Sequence, residues 1–167
     1  MKKLLLPLLF VFLLAAHLSF ATDLADVSDH RTCAYCGMDR GKFAHSRTLT
    51  EYDDNTMFGA CSIHCAAVNL ANNIDRTPRA IHVGDYYSRK LIDAEKAFWV
   101  IGGKIQGVMT SNAKWAFEHR EEAERFVSEN GGTSATFDEA MRAAYEDMYK
   151  DTKQIREKRK LKKMSHN

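Results

Sequence analysis

The sequence predicts an α+β fold: two small repeated strand-strand-helix-strand units packed together, plus a C-terminal helix. Three observations carry this. Short runs at 45–52 and 79–87 alternate apolar and polar residues, as a half-buried strand requires. Two other segments, after Ser62 and after Arg120, place apolar residues three and four apart and end in Asn72-Asn73 and Gly131-Gly132, which stop a helix. The order strand, strand, helix, strand then occurs twice, over about 33–87 and about 91–137.

The chain opens with Met1-Lys2-Lys3, an apolar run from Leu4 to Ala16, and the small residues of Ser19-Phe20-Ala21, so residues 1–21 read as a secretory signal. The run is shorter than the roughly 20 residues of a membrane span, and no later segment approaches that length. No cysteine follows the run to take a lipid anchor, so a periplasmic protein with no transmembrane segment in the mature chain is expected. Removing the signal leaves 146 of the 167 residues, enough for one compact domain or two intimately packed ones, which we place at 22–150. The signal carries Lys2 and Lys3 and no acid, so the formal charge of +2 falls to zero and no nucleic-acid partner is expected.

Thr22 to Arg31 is polar and mixed, an extended leader. His45 to Tyr52 reads as a strand with Leu49 inward, Asp53-Asp54-Asn55 as a hairpin turn, and Met57 to Ala60 as the second strand. Ser62 stands where a helix N-cap would, ahead of Ile63, Ala66, Ala67 and Leu70 at helical spacing. Arg79 to Tyr87 is a third strand. Leu91-Ile92-Asp93 opens the second unit, and Ala97 to Ile101, apolar throughout and closed by Gly102-Gly103, is its buried central strand. A loop from Ile105 to Asn112 carries Met109 at its tip, and Lys114 to Phe117 is a short strand. Arg120 to Asn130 is an amphipathic helix, and Thr133 to Phe137 a last strand.

Asp138-Glu139 then starts a terminal helix with Met141, Ala144, Tyr145 and Met148 on its docking face. The basic stretch that follows contains Lys153, Arg156, Lys158, Arg159, Lys160, Lys162 and Lys163. Such a run could meet an anionic membrane or a partner, but a solvated helix end fraying into a disordered tail over 151–167 is the plainer expectation.

All four cysteines lie in two short segments, Cys33-x-x-Cys36 and Cys61-x-x-x-Cys65. Cys61 and Cys65 stand at i and i+4 across the start of a helix, a spacing that lets both sulfurs face one point. Four readings follow. An exported protein with an even cysteine count could pair them as disulfides. A thioredoxin-like exchanger would need its Cys-x-x-Cys at a helix start after a buried strand, whereas this one follows a polar leader. Structural zinc would take the four thiolates as a tetrahedron. Copper(I) would take two or three soft donors, with Met38 and Met109 as candidate thioethers. A lone methionine ordinarily fills core, and Met57, Met141 and Met148 are assigned there. Met109 instead sits among Gly107, Thr110, Ser111 and Asn112. His64, between two cysteines on the first turn of the helix, is kept as an auxiliary ligand. No acid/base pair, phosphate loop or partnered nucleophile suggests an enzyme.

Cys36-Gly37-Met38 after Cys33, then Phe98-Trp99-Val100-Ile101-Gly102, Gly107-Val108-Met109, Trp115-Ala116-Phe117 and Phe126-Val127 before Gly131-Gly132, resemble the NosL family of nitrous oxide reductase accessory proteins. The resemblance runs from Cys33 to Phe137. It implies an exported copper(I)-binding metallochaperone of two repeated α+β units, serving a periplasmic copper enzyme (nitrous oxide reductase) or its maturation machinery. By the same resemblance the ligands fall on Cys36 and Met109, with Met38 nearby; Cys33, Cys61 and Cys65 are additions to the family pattern and stay as further candidates on their thiol chemistry alone. The chain departs from the many NosL lipoproteins that have a single motif cysteine. Its pattern of Cys36 with Cys61-x-x-x-Cys65 is similar to the TRASH domain of heavy-metal sensing and trafficking. That second resemblance leaves a zinc site or disulfide staple in a binding module as the alternative to copper.

Overall fold

The first strand of each unit lies at the centre of its sheet. The computed structural model describes residues 24–165; the signal expected at 1–21 lies outside them. A short helix α1 (Ala25–Asp29) leads into β1 (Thr48–Tyr52), β2 (Met57–Ala60), α2 (Ile63–Asn72) and β3 (Pro78–Gly84). After β4 (Leu91–Asp93) come β5 (Phe98–Ile101), β6 (Lys114–Phe117), α3 (Arg120–Asn130), β7 (Thr133–Ala135) and α4 (Phe137–Met164). The sheets run β2-β1-β3-β4 and β6-β5-β7, antiparallel throughout. In both units the hairpin partner flanks the first strand on one side and the strand after the helix flanks it on the other. This is the repeat the element order predicts. Leu91–Asp93, expected to open the second unit, instead pairs with β3 and closes the first sheet.

The two units share their cores. One apolar cluster joins Cys33, Cys61 and Cys65 of the first unit to Trp115, Phe117 and Phe126 of the second. The other joins Ile63, Ile81 and Val83 to Trp99, Ala116, Ala140 and Ala144. Burial of these side chains, at about 25 cal/mol per Å² of apolar surface, is what holds the units face to face. A polar link reinforces it: the buried Asp85 carboxylate accepts from the Glu118 backbone N–H at 2.9 Å.

Three expectations are corrected. The leader is not extended: α1 delivers Asp26 to two fully buried guanidiniums, Arg40 Nη2 at 2.6 Å and Arg47 Nη2 at 2.8 Å. Charges of that kind are held inside only when paired, and a short helix is what brings the carboxylate to them. The tail expected to be disordered from residue 151 is helical to Met164. Lys, Arg, Gln and Glu are good helix formers, and Lys162 and Lys163 complement the negative end of the helix. The start of α4 is fixed by a capping box in which Glu139 N–H donates to Thr136 Oγ1 and Thr136 N–H to Glu139 Oε2. Finally, Met57 and Tyr145, assigned inward, stand out in solvent; α4 buries Ala140, Ala144 and Asp151 instead. No helix among the described residues is long and apolar enough to cross a membrane.

Candidate metal centre

The Cys33–Met38 segment folds into a tight knuckle. Cys33 N–H donates to the Met38 carbonyl at 2.9 Å, and Gly37 N–H to the Cys33 carbonyl at 2.8 Å. Gly37 takes φ 74°, a left-handed conformation that glycine adopts without a Cβ penalty. The chain thus doubles back and presents Cys33 and Cys36 on the same side. Arg40 then clamps the knuckle to the first sheet: its Nε donates to the Ala60 carbonyl at 3.1 Å and its Nη2 to the Thr48 carbonyl at 2.9 Å. Ala60 is the last residue of β2, so this contact sets the distance from the knuckle to Cys61. Ser62 holds the N-cap position of α2 without a side-chain capping bond. Its place there puts Cys61 ahead of the helix and Cys65 on the first turn.

The four sulfurs converge. All lie within 4.8 Å of one another, and all four cysteines are free thiols. Cys36 Sγ is 3.4 Å from Cys61 Sγ, and Cys61 Sγ is 3.8 Å from Cys65 Sγ. A tetrahedral ion with metal–sulfur bonds near 2.3 Å spaces its sulfurs about 3.8 Å apart, so the thiols stand at ligating separation. Cys33, Cys61 and Cys65 are buried, whereas Cys36 is half-exposed.

Crowding four thiols divides their acidities. Hydrogen bonds from Cys36, Cys61 and Cys65 stabilise a thiolate at Cys33 and lower its pKa far below the ordinary thiol value. Cys36 is raised by its contact with Cys33, and lowered by more through Cys61 and Cys65, coming to about 7. Cys61 and Cys65 are pushed up, first by the bonds they donate to Cys33 and Cys36. Within the metal-free cluster the acidity is thus gathered on the Cys33–Cys36 knuckle, and the two thiols beside the helix start are held protonated by their neighbours. A soft cation would displace the remaining protons.

A cavity of about 430 Å³ has Met38, His45, Met109, Asp151, Lys158 and Arg159 among its walls, and no cysteine. Met38, Cys36 and Met109 are all partly buried and pack against the same apolar cluster as the three inner cysteines. Met109 sits at φ 61°, which costs an L residue about 1–2 kcal/mol. Gly107 makes that loop possible: a Cβ there would stand 2.7 Å from Thr110 Cγ2 and 2.8 Å from Ala113 Cα.

The structure thus brings the four predicted cysteines into one group, and sets Met38 and Met109 together on the wall of this cavity. His64 is not part of the sulfur group. It is buried, and its Nδ1 faces Asp151 Oδ2 of α4 at 3.5 Å, with burial lowering its pKa. Sequence reasoning missed His45, which shares the cavity wall with the two methionines. Burial, and after it the charge of Arg89, lowers its imidazole pKa, and its ring lies 5.5 Å from that of Trp115. In the sequence it is one polar residue in a strand-like alternation, with no spacing relation to the cysteines. Asp151 was missed for the same reason.

A family model described as NosL matches residues 24–145. Among solved structures, the copper chaperone NosL from Shewanella denitrificans superposes with a TM-score of 0.52 at 20% identity, covering 65% of this chain and 87% of that one. At that identity the likeness concerns the fold. No curated protein matches.

Proposed function

The chain belongs to the NosL family, and we propose that it is an exported copper(I)-binding metallochaperone with nitrous oxide reductase, a periplasmic copper enzyme, as its client. The observation that carries this reading is the sulfur site and its surroundings: four free thiols at ligating separation, of which only Cys36 is half-exposed, in one apolar cluster with Met38 and Met109, which themselves line a cavity. Thiolates and thioethers are the donors that copper(I) prefers.

The copper ion is cargo. Cys36 and Met109 would hold it, with Met38 beside them and Cys33, Cys61 and Cys65 as further thiolates behind. Binding displaces thiol protons to solvent through the half-exposed Cys36, and the ion keeps its oxidation state throughout. An acceptor's sulfur or imidazole donors would enter from the cavity, displace the neutral thioethers first, and draw the ion off the thiolates last. The thioethers leave first because they carry no charge to hold the cation. The role is binding and hand-over, and the proposal assigns no residue a catalytic one.

One observation favours a second reading. The 3.4 and 3.8 Å sulfur separations also suit tetrahedral zinc, and three of the four thiols are buried as in a closed structural site. A TRASH-like zinc module would then use the cluster as a staple. The two readings part on Met109. Reduced protein is titrated with copper(I) against a competing chelator, in wild type, Met109→Leu and Cys61→Ser. The carrier reading expects weaker copper binding in Met109→Leu with the fold intact. A Met109→Leu protein that holds copper unchanged, together with an unfolded Cys61→Ser, would establish the staple.

A further inference from the structure

The family match ends at residue 145, but α4 runs on to Met164. This extension is not remote from the sulfur site. Asp151 of α4 is buried against His64 and accepts from the Ser111 backbone N–H in the Met109 loop at 3.1 Å. One turn further, Ile155, Lys158 and Arg159 form a wall of the cavity that Met38 and Met109 share. The helix is therefore anchored at its middle, and its last two turns project beside the cavity mouth, with every residue from 156 to 165 exposed.

Those turns are one-sided in charge. Arg156, Lys158, Arg159, Lys160, Lys162 and Lys163 are opposed only by Glu157. Most have no internal partner to serve: the ion pairs of the described residues include only Asp151 from this segment, and that carboxylate faces His64. The like charges also oppose approach of a bare cation to the cavity, within a Debye length of about 8–10 Å. A membrane is the poorer fit. A helix that lies in a bilayer surface needs a continuous apolar face, and beyond Ile155 only Leu161 and Met164 are apolar.

We propose that the cationic end of α4 docks an acidic surface of a partner protein and places that surface's donors at the mouth of the Met38–Met109 cavity. Carboxylates would neutralise Lys158 and Arg159, removing the barrier to cation exchange at the moment of contact. Docking of this kind acts mainly on the association rate and is salt-sensitive. That the partner receives metal rests on the carrier reading above; the docking itself does not.

The probe is a glutamate-rich peptide containing two methionines, compared with its twin in which every glutamate is glutamine. Binding is followed by fluorescence anisotropy on the reduced, metal-free full chain, and copper(I) transfer by stopped flow on the loaded protein. The glutamate peptide is expected to bind at least about tenfold more tightly than its twin at low salt, with the gap closing as ionic strength rises. Reversing Lys158, Arg159 and Lys162 to Glu should abolish that preference, and the milder change of all three to Gln should reduce it, with helix content by circular dichroism unchanged. Reversing Lys90, Lys96 and Lys104 elsewhere on the surface should leave it intact.

Equal affinity for the two peptides would overturn the proposal, as would a preference that survives the α4 reversals or is lost equally in the Lys90/Lys96/Lys104 control. Retention on phosphatidylglycerol vesicles without any glutamate preference would also overturn it, in favour of a membrane contact. Peptide preference in a protein that takes no copper(I) would sustain the docking surface and reject the carrier reading. Copper binding with no preference would do the reverse.

Discussion

Cys36 Sγ stands 3.4 Å from Cys61 Sγ, across 25 residues of chain, in a thiol hydrogen bond and not a disulfide. The knuckle supplies one sulfur and the end of β2 the other, and the Arg40 contact to Ala60 fixes their separation. The pair is close enough to share a metal ion; joining it as a disulfide, at about 2.05 Å, would need a two-electron oxidant and the loss of both thiol protons.

Cys36 should be the first thiol to react. It alone is half-exposed, and its pKa of about 7 gives it a large thiolate fraction at neutral pH. Limited alkylation of the metal-free protein followed by peptide mapping is expected to label Cys36 well before Cys61 or Cys65, with a rate that rises as pH climbs through about 7. Equal labelling of all four would mean that the cluster is open. Copper(I) bound before alkylation should protect Cys36.

Stability should fall in acid through Asp26. Burial raises its carboxyl pKa, but hydrogen bonds and charge from Arg47 and Arg40 outweigh this and hold it below the usual value. A depressed folded-state pKa contributes stability that is present above the unfolded value, about 3.9, and is lost as pH falls through the folded one. Urea midpoints are therefore expected to be level near neutrality and to drop below about pH 4. Asp26→Ala would leave two buried guanidiniums unpaired, at a cost of about 3–5 kcal/mol. Asp26→Asn should remove much of the acid-dependent part. A variant as stable as wild type at pH 7 would show that the pair contributes nothing.

Gly107 is a separate test of the Met109 loop. In Gly107→Ala the new methyl meets backbone at Ala113, which cannot swing aside as a side chain can. The expected result is lower thermal stability, by roughly 1–3 kcal/mol, together with weaker copper(I) binding as Met109 shifts. Loss of stability with unchanged copper affinity would place Met109 outside the site.

Much of this architecture was legible from periodicity. The alternation at 45–52, the helix after Ser62, the apolar run ending at Ile101 and the stop at Gly131-Gly132 each correspond to an observed element within a few residues. The paired cysteines announced a site because sulfur spacing is a local property of the chain. Tertiary pairings left no such mark. Asp26 looks like any polar residue of a leader until Arg40 and Arg47 are seen buried on either side of it. His45 and Asp151 become neighbours of Met109 only when the two units and α4 pack around one cavity. The tail misled because its high charge mimics a disordered segment, although most of its residues are good helix formers and Asp151 and Ile155 anchor them.

The most direct measurement is an anaerobic copper(I) competition titration of the fully reduced protein beside Met109→Leu and Cys36→Ser, with zinc added in a parallel series. Wild type is expected to bind one copper(I), to give it up to a stronger chelator, and to prefer it to zinc. Each variant should bind at least about tenfold more weakly, near 1.4 kcal/mol or more, with the fold preserved by circular dichroism. A wild-type protein that retains zinc against copper(I), or a Met109→Leu protein whose copper affinity equals that of wild type, would contradict the copper carrier.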